Sequence, residues 1–280
     1  MTPLAAGILR TLVLCGGLVA GSILAAIVYR VPRGMSVLTR EAHCPKCLHP
    51  LAVTDLLPVV SFLFHRGRCP YCSAVVSWIY PAVEISAGVL TLVLFMRYGP
   101  GWAFAAYCLL CYLAIALAAI DLEHHLLPNL LTISGIILGL VVNTAWYLAG
   151  GAAIPVKPSS TWEALWPGSF VDPGVWGAYE VLAPHFSPVH AVLGIIVGGG
   201  VLWLVAWLSR GGMGGGDVKY LAAIGSFIGP GAALTVLVAA SFIGAVVGLT
   251  LMAAGRMSRR QPIPFGPFLS LAVVGIALIG

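Results

Sequence analysis

Two aspartates stand at the ends of apolar segments, where an ionisable side chain is unusual. Asp121 closes one segment, and Asp217 opens another after the glycines Gly214, Gly215 and Gly216. A charged group at membrane depth is costly and tends to mark an ion pathway or a reaction centre. Two neighbouring carboxylates do not ionise together easily, so one keeps a proton and acts as an acid while the other polarises water as a base. The pair therefore indicates aspartic proteolysis.

The glycine run before Asp217 has two interpretations. Glycine has no Cβ to obstruct an extended peptide, so Gly214, Gly215 and Gly216 could pair with a substrate strand through main-chain hydrogen bonds. The same run could instead allow a tight loop between two membrane segments. We favour substrate binding because of the second boundary aspartate, and Lys219 is a further candidate, either as a substrate contact or as a helix-end residue.

Four of the seven cysteines form two close pairs in a polar stretch. Cys44 pairs with Cys47 and Cys69 with Cys72, and residues 48–68 separate the pairs. Two such knuckles place four thiolates tetrahedrally around zinc. The alternatives are unbound thiols or disulfides, and disulfides need an oxidising compartment. Four thiolates leave no open position for water, so the expected zinc is structural.

The composition of the chain is that of a membrane protein. Of the 280 residues, 60% are hydrophobic and 8% charged, whereas a soluble domain has about 25% charged residues. Because a bilayer core needs about 20 apolar residues per helix, we predict an all-α polytopic fold. It has about eight transmembrane helices, near residues 4–29, 78–96, 102–120, 130–149, 189–208, 217–228, 232–254 and 265–280. The segment 217–228 is too short to cross alone and predicts a half-buried helix or a tilted span.

The lysines and arginines predict the orientation of these helices. With eight helices, one face carries Arg30, Arg33, Arg40, Lys46, Arg66, Arg68, Arg210, Lys219, Arg256, Arg259 and Arg260, and the other carries Arg10, Arg97 and Lys157. The basic face is expected to be cytoplasmic, which places the cysteine pairs in a reducing compartment. The basic residues therefore indicate membrane lipid, and no nucleic acid, as the partner. Residues 150–188 are expected to form an outer loop at the membrane interface.

Together these features resemble the type IV prepilin peptidases, bifunctional membrane enzymes of bacterial pilus and type II secretion systems. The resemblance covers most of the chain. The shared motifs are Gly21-Ser22, Tyr29-Arg30-Val31-Pro32, the two cysteine pairs, Asp55-Leu56-Leu57-Pro58 with Ser61, Arg66-Gly67-Arg68-Cys69, Tyr80-Pro81-Ala82-Val83-Glu84, Ile120-Asp121 with Leu127-Pro128-Asn129, Gly214-Gly215-Gly216-Asp217-Val218-Lys219 and Pro264-Phe265-Gly266-Pro267-Phe268. The Gly-x-Gly-Asp motif alone is weak, but its order after the cysteine pairs is specific.

The resemblance implies that Asp121 and Asp217 are the catalytic dyad of a peptidase. It would cleave the leaders of type IV prepilins and pseudopilins at the cytoplasmic face of the bacterial inner membrane. A second implied activity is methylation of the new N-terminal amine with S-adenosylmethionine. Its binding residues are not identified, and Asp55 and Glu84 are the candidates.

The expected organisation is a first helix at residues 1–29, a small cytoplasmic zinc-knuckle domain at 30–77 that would serve methyl transfer, and a membrane peptidase domain at 78–280. Two other functions stay open at this point. An ion-coupled transporter or channel would also use aspartates in the membrane, and a scaffold of a secretion system would need no chemistry. The sequence also leaves open whether the chain forms a homodimer.

Overall fold

The computed structural model describes residues 3–37, 43–44, 46–151, 186–209, 214–256 and 263–279. Regular structure in this part of the chain is helical, apart from two isolated β-bridges. The helices are α1 (Pro3–Arg30), α2 (Val60–Phe64), α3 (Ile79–Tyr98), α4 (Trp102–His124), α5 (Asn129–Leu148), α6 (Pro188–Leu208), α7 (Gly215–Ala253) and α8 (Gly266–Ile279), with 3-10 turns at Val31–Arg33 and Val53–Leu56. Most of the predicted outer loop, residues 152–185, lies outside the described residues.

Six helices in the described part of the chain, α1 and α3 to α7, are long and apolar enough to cross a membrane. Helix α7 has 39 residues, a length of about 58 Å at 1.5 Å per residue. Gly229 interrupts it with φ 79° and ψ −179°. The eight predicted segments therefore correspond to the five other long helices, the two parts of α7, and the 14-residue α8. The predicted all-α polytopic membrane fold is confirmed.

The chain forms two compact units, Met1–Phe95 and Met96–Gly280. In the first unit, α1 and α3 pack closely where Gly21 meets Glu84. A Cβ atom at Gly21 would lie 2.6 Å from the Cα atom of Glu84. Small residues allow such close approach of membrane helices, so this glycine fixes Glu84 against α1.

In the second unit, the first part of α7 is a central core helix. Every residue from Tyr220 to Gly229 is buried, and α4, α5, α6 and α8 all pack on α7. Gly194 of α6 meets Gly225 of α7 with no room for a Cβ atom on either residue. A helix that is apolar on all sides is expected to be buried. The half-buried helix predicted at 217–228 is therefore present, with more complete burial than expected.

The kink in α7 leaves backbone carbonyl groups without a donor from their own helix, and a side chain of a neighbouring helix supplies one. Pro230 has no N–H to donate to the carbonyl of Ser226. The Nδ2 atom of Asn143, a residue of α5 that is 1% exposed, donates to Ser226 O at 2.9 Å and to Phe227 O at 3.4 Å. The hydrogen bond that proline removes is thus replaced, and α5 is attached to α7 beside Gly229.

Helix α8 is held at its C-terminal end by polar side chains. Arg97 Nη2 donates to Ile279 O at 2.6 Å, and the Tyr98 hydroxyl donates to Ala277 O at 2.8 Å. Terminal helix carbonyls lack intrahelical donors and attract cations. These contacts stabilise the position of α8, whose first residue is Gly266.

Candidate active site

Asp121 lies in the last turn of α4 and is 5% exposed. The backbone N–H of Gly266 donates a hydrogen bond to Asp121 Oδ2 at 3.0 Å. Gly266 begins α8, where N–H groups have no partner within the helix. A Cβ atom at Gly266 would lie 2.6 Å from Asp121 Oδ2, so only glycine permits this contact. The sequence analysis missed this role, although the glycine between Phe265 and Pro267 was the available signal.

Asp217 lies in the first turn of α7, and Gly214 precedes the helix in an extended conformation with φ −71° and ψ 136°. The Asp217 carboxylate reaches back toward this residue, because a Cβ atom at Gly214 would lie 3.4 Å from Asp217 Oδ2. Gly216, which precedes Asp217, and Gly266, which donates to Asp121, both lie against the side chain of Leu127, so the two aspartates stand at neighbouring helix ends. The structure thus brings together the two aspartates that the sequence selected.

The three glycines before Asp217 occupy different surroundings. Gly215 and Gly216 are the first residues of α7, so only Gly214 has extended backbone suited to pairing with a peptide. A Cβ atom at Gly216 would lie 2.8 Å from the Cβ atom of Leu127, whereas one at Gly215 would have no neighbour within 4 Å. Leu127 also lies beside Gly266. Its side chain therefore fills the space between the starts of α7 and α8.

Lys219 is bound to a residue of another helix. Its Nζ atom donates to Asn129 Oδ1 at 2.7 Å, and Asn129 is the first residue of α5. The bond joins the N-terminal ends of α5 and α7. This contact is compatible with the predicted role at a helix end, and contact with substrate stays a prediction.

Two buried hydroxyl groups lie close to the aspartates. Tyr220 is one helical turn beyond Asp217 in α7, and Ser270 is one turn beyond Gly266 in α8. The Tyr220 hydroxyl and Ser270 Oγ are 2.8 Å apart, and both side chains are buried. Ser270 Oγ also lies within donating distance of the carbonyls of Gly266, at 3.0 Å, and Ala114, at 2.9 Å. Helices α4, α7 and α8 are therefore linked directly behind the carboxyl pair. Nothing in the sequence pattern indicated this network.

The arrangement of the two aspartates suits acid–base chemistry. Two carboxyl groups in electrostatic contact titrate as a unit, with one proton shared between them. Asp121 is oriented by a backbone donor, and backbone groups are held more rigidly than long side chains. Such a pair suits the addition of water to a carbonyl group with one acid and one base.

The four predicted metal ligands meet in the first unit. The Sγ atoms of Cys44, Cys47, Cys69 and Cys72 all lie within 4.8 Å of one another, and those of Cys44 and Cys72 are 3.8 Å apart. Tetrahedral zinc with Zn–S bonds of about 2.3 Å separates its sulfurs by about 3.8 Å. The cluster is therefore placed to hold a metal ion, and its donors suit zinc.

The two cysteine knuckles have the same backbone form. The N–H of Leu48 donates to Cys44 O, and the N–H of Ser73 donates to Cys69 O, each at 2.9 Å. Leu48 and Ser73 both adopt positive φ, 57° and 58°. This conformation turns the backbone of each knuckle back on itself, so that the second cysteine faces the first.

The thiols of the cluster differ in acidity before any metal binds. The backbone N–H of Cys47 is the largest of the influences that lower the pKa of Cys44 to about 6. The N–H of Ala74 lowers the pKa of Cys72, but desolvation and the neighbouring thiols outweigh it and raise that pKa to about 12. A bound divalent cation would favour the thiolate form of all four cysteines.

A cavity of about 540 Å³ adjoins the cysteine knuckles within the first unit. Its volume is typical of sites for small molecules. The polar lining that matters here is Ser22, Arg30, Asp55, Arg68, Tyr80 and Glu84. Both carboxylates named as cofactor candidates from the sequence therefore line the same cavity.

The two cavity carboxylates have separate partners. Asp55 Oδ2 accepts hydrogen bonds from the Ala52 N–H and the Tyr71 hydroxyl, both at 3.1 Å, and Asp55 Oδ1 lies 3.5 Å from His65 Nε2. The hydrogen bond to Asp55 raises the pKa of the Tyr71 phenol, because losing its proton would place two negative charges together. Glu84 Oε2 accepts the N–H of Val59 at 2.7 Å.

Two family profiles match most of the chain. Residues 15–98 match the Bacterial Peptidase A24 N-terminal domain, and residues 108–249 match the Type IV leader peptidase family. The first match contains the cysteine cluster and the cavity carboxylates, and the second contains both aspartates.

Several similar proteins bear the name prepilin leader peptidase/N-methyltransferase. One from Aeromonas salmonicida (strain A449) is 31% identical over 242 residues, which cover 85% of this chain and 70% of that protein. One from Burkholderia pseudomallei (strain 1026b) is 31% identical over 91% of this chain and 80% of its own length. One from Bacillus subtilis (strain 168) is 28% identical over 94% and 92%. No solved structure matches this chain significantly.

Proposed function

Because the chain belongs to the type IV leader peptidase family, we propose that it is a membrane-embedded aspartic endopeptidase that removes the basic leader from type IV prepilins and pseudopilins. The observation that carries this proposal is the placement of Asp121 and Asp217 at helix ends that surround Leu127, with the Gly266 N–H directed at Asp121. A transporter or a scaffold does not explain the family match.

The proposed cleavage uses Asp121 and Asp217 as one acid–base unit. The ionised carboxylate takes a proton from water as the water oxygen adds to the peptide carbonyl, and the protonated one donates to the carbonyl oxygen. A proton then passes to the amide nitrogen, the C–N bond breaks, and a free α-amine and a carboxylate result. The Gly266 N–H keeps Asp121 oriented throughout these steps.

Helix ends are a suitable place for this reaction. A helical peptide bond is hydrogen-bonded internally, so a membrane-helical substrate must be cut where its helix begins or frays. Asp121 lies in the last turn of α4 and Asp217 in the first turn of α7. We propose that both face the cytoplasmic side of the inner membrane, as the distribution of lysine and arginine predicts.

The second proposed activity is methylation of the new N-terminal amine, and we place it in the first unit. The cavity has the volume of a ligand site, and its carboxylates suit a cationic sulfonium, so the lining residues fit S-adenosylmethionine. Asp55, held by Ala52 and Tyr71, is the residue that we expect to contact it. The cofactor would supply the methyl group. Zinc bound by the four cysteines would fix the walls of the cavity and take no part in the chemistry.

Incubation of the purified protein with a prepilin in detergent or nanodiscs tests the proposal. Mass spectrometry of the pilin N-terminus reports cleavage and methylation in one measurement. The proposal expects a cut after the leader, and one added methyl group only when S-adenosylmethionine is present. A substrate that stays intact would contradict the peptidase assignment, and a cut but unmethylated product would contradict the second activity alone.

A further inference from the structure

Two carboxylates, Asp55 and Glu84, line the cavity of the first unit together with the basic residues Arg30, Arg33, Lys46 and Arg68. Arg30 donates to Val37 O at 3.1 Å and Arg33 to Tyr29 O at 2.7 Å, and Asp55 has three partners. No ion pair is formed by Glu84 with any residue that the structure describes. A cation stabilises a carboxylate that is partly removed from water, so this position suits a cationic ligand.

The surroundings of Glu84 hold its carboxylate in one place. The Val59 N–H donates to Glu84 Oε2 at 2.7 Å, and the close approach of Gly21 fixes the Glu84 backbone. An ionised carboxylate accepts about four hydrogen bonds, so this one donor leaves capacity for a ligand. Ser22 and Glu84 both line the cavity, which places the remaining capacity at its wall.

The donor of one of these bonds has an unfavourable backbone conformation. Val59 adopts φ 61° and ψ −43°, a region that β-branched residues rarely occupy. Such residues persist where surrounding contacts hold them and cluster at functional sites. The N–H of Val59 is directed at Glu84, and its carbonyl accepts from the N–H of Leu63, so the loop before α2 is held between the carboxylate and the helix.

We propose that Glu84 binds the α-ammonium group of the trimmed pilin and positions its nitrogen for methyl transfer. This inference rests on the proposed function, since cleavage creates the amine. An α-amine with a pKa of about 7.7–8.0 is mainly cationic at neutral pH and matches an unpaired carboxylate. After one proton leaves to solvent, the nitrogen lone pair forms the N–C bond as the S–C bond of the sulfonium breaks, leaving a neutral thioether. The product is again an ammonium ion and stays paired with Glu84.

The test compares Glu84→Gln with the wild type. Glutamine keeps a carbonyl oxygen for the Val59 N–H but removes the charge, so the variant separates ligand binding from the structural role. Two fluorescent peptides with the mature pilin N-terminus serve as probes, one with a free α-amine and one acetylated. Binding to the cofactor-free, zinc-containing protein is measured by anisotropy. The wild type should bind the free amine about tenfold more tightly, and Glu84→Gln should bind both peptides equally.

Asp55→Asn is the matched control, because it removes the other carboxylate of the cavity. It should keep the preference for the free amine and lower the affinity for S-adenosylmethionine, measured by calorimetry. An unchanged preference in Glu84→Gln would overturn the inference, as would a loss of cofactor affinity in that variant with the preference intact. A wild-type protein that neither cuts a prepilin nor methylates the product would instead refute the proposed function.

Discussion

In the second unit, Asp121 and Asp217 lie at neighbouring helix ends, and Asp121 accepts a hydrogen bond from the backbone N–H of Gly266. In the first unit, Asp55 and Glu84 line one cavity, but each binds its own donors. The first arrangement suits a pair that shares one proton, and in the second each carboxylate is stabilised by partners of its own. Carboxyl groups that compete for one proton are suited to acid–base catalysis, whereas separately satisfied carboxylates act as fixed anions that bind cations.

The two units also differ in what holds their sites together. Around the aspartates, close helix contacts at Gly216, Gly266 and Gly194 position the backbone, and the core of α7 is fully buried. Around the cavity, short turns and the four-cysteine cluster take the place of an apolar core. The second unit should therefore respond to the addition of single methyl groups, and the first to loss of a metal ion.

Loss of zinc should give the largest difference between the activities assigned to the two units. Cys72→Ser removes one of four ligands, and we expect zinc to fall from one ion per chain to none by elemental analysis, with loss of methylation. Cleavage should continue, because the aspartates belong to a different compact unit. Cys15→Ser, a change at an exposed cysteine outside the cluster, should alter nothing. Equal losses of cleavage and methylation in Cys72→Ser would contradict the claim that the two units act separately.

Gly266→Ala should impair the second unit alone. The added Cβ atom would lie 2.6 Å from Asp121 Oδ2, so the carboxyl group must move and lose its backbone donor. Displacement of a catalytic group by about 1 Å costs about a hundredfold in rate, and kcat for cleavage should fall by that order while methylation of a pre-trimmed peptide persists. Gly275→Ala, in the same helix with free space around it, should cleave normally. Similar rates for both variants would contradict this role.

Alanine substitutions at the adjacent glycines Gly215 and Gly216 should have opposite effects on stability. Gly216→Ala forces Leu127 to move, and we expect a lower melting temperature and cleavage reduced about tenfold, equivalent to about 1.4 kcal/mol. Gly215→Ala meets no atom within 4 Å and should be neutral or stabilising by up to about 1 kcal/mol, because alanine favours helix. Thermal unfolding followed by circular dichroism, with cleavage assays, checks both. If Gly215→Ala also slows cleavage, the glycines serve the substrate directly.

The smallest expected effects concern the hydroxyl pair behind the aspartates. Ser270→Ala leaves the buried Tyr220 hydroxyl without its partner, a cost of about 1–3 kcal/mol. Tyr220→Phe should cost less, because Ser270 keeps the carbonyls of Gly266 and Ala114. Chemical unfolding of the purified variants measures the order. A larger loss for Tyr220→Phe would mean that the phenol, rather than the serine, organises this network.

The sequence was sufficient for the features whose signal is local. The cysteine pairs are short-range patterns, so spacing alone predicted that Cys44, Cys47, Cys69 and Cys72 would meet. Helix positions followed from apolar runs. The two aspartates were expected to form a pair because each lies at the end of an apolar segment. The family itself was also recognisable from the order of its motifs, and the comparisons confirm it.

Features that depend on contacts between distant segments could not be predicted. The Gly266 N–H reaches Asp121, and Asn143 satisfies the kink in α7, only after helices far apart in sequence have packed. The bond between Lys219 and Asn129 has the same origin. The cavity around Glu84 depends on the course of an irregular loop, for which periodicity gives no information.

The most direct test of the central claim is single-turnover cleavage of a prepilin by Asp121→Asn, Asp217→Asn and the double variant, each checked for membrane insertion and zinc content. Because the two carboxyl groups act as one unit, each single variant should lose at least about a thousandfold in rate, and the double variant should be no worse than either. Retention of near wild-type cleavage by either single variant, or losses that multiply in the double variant, would contradict the account.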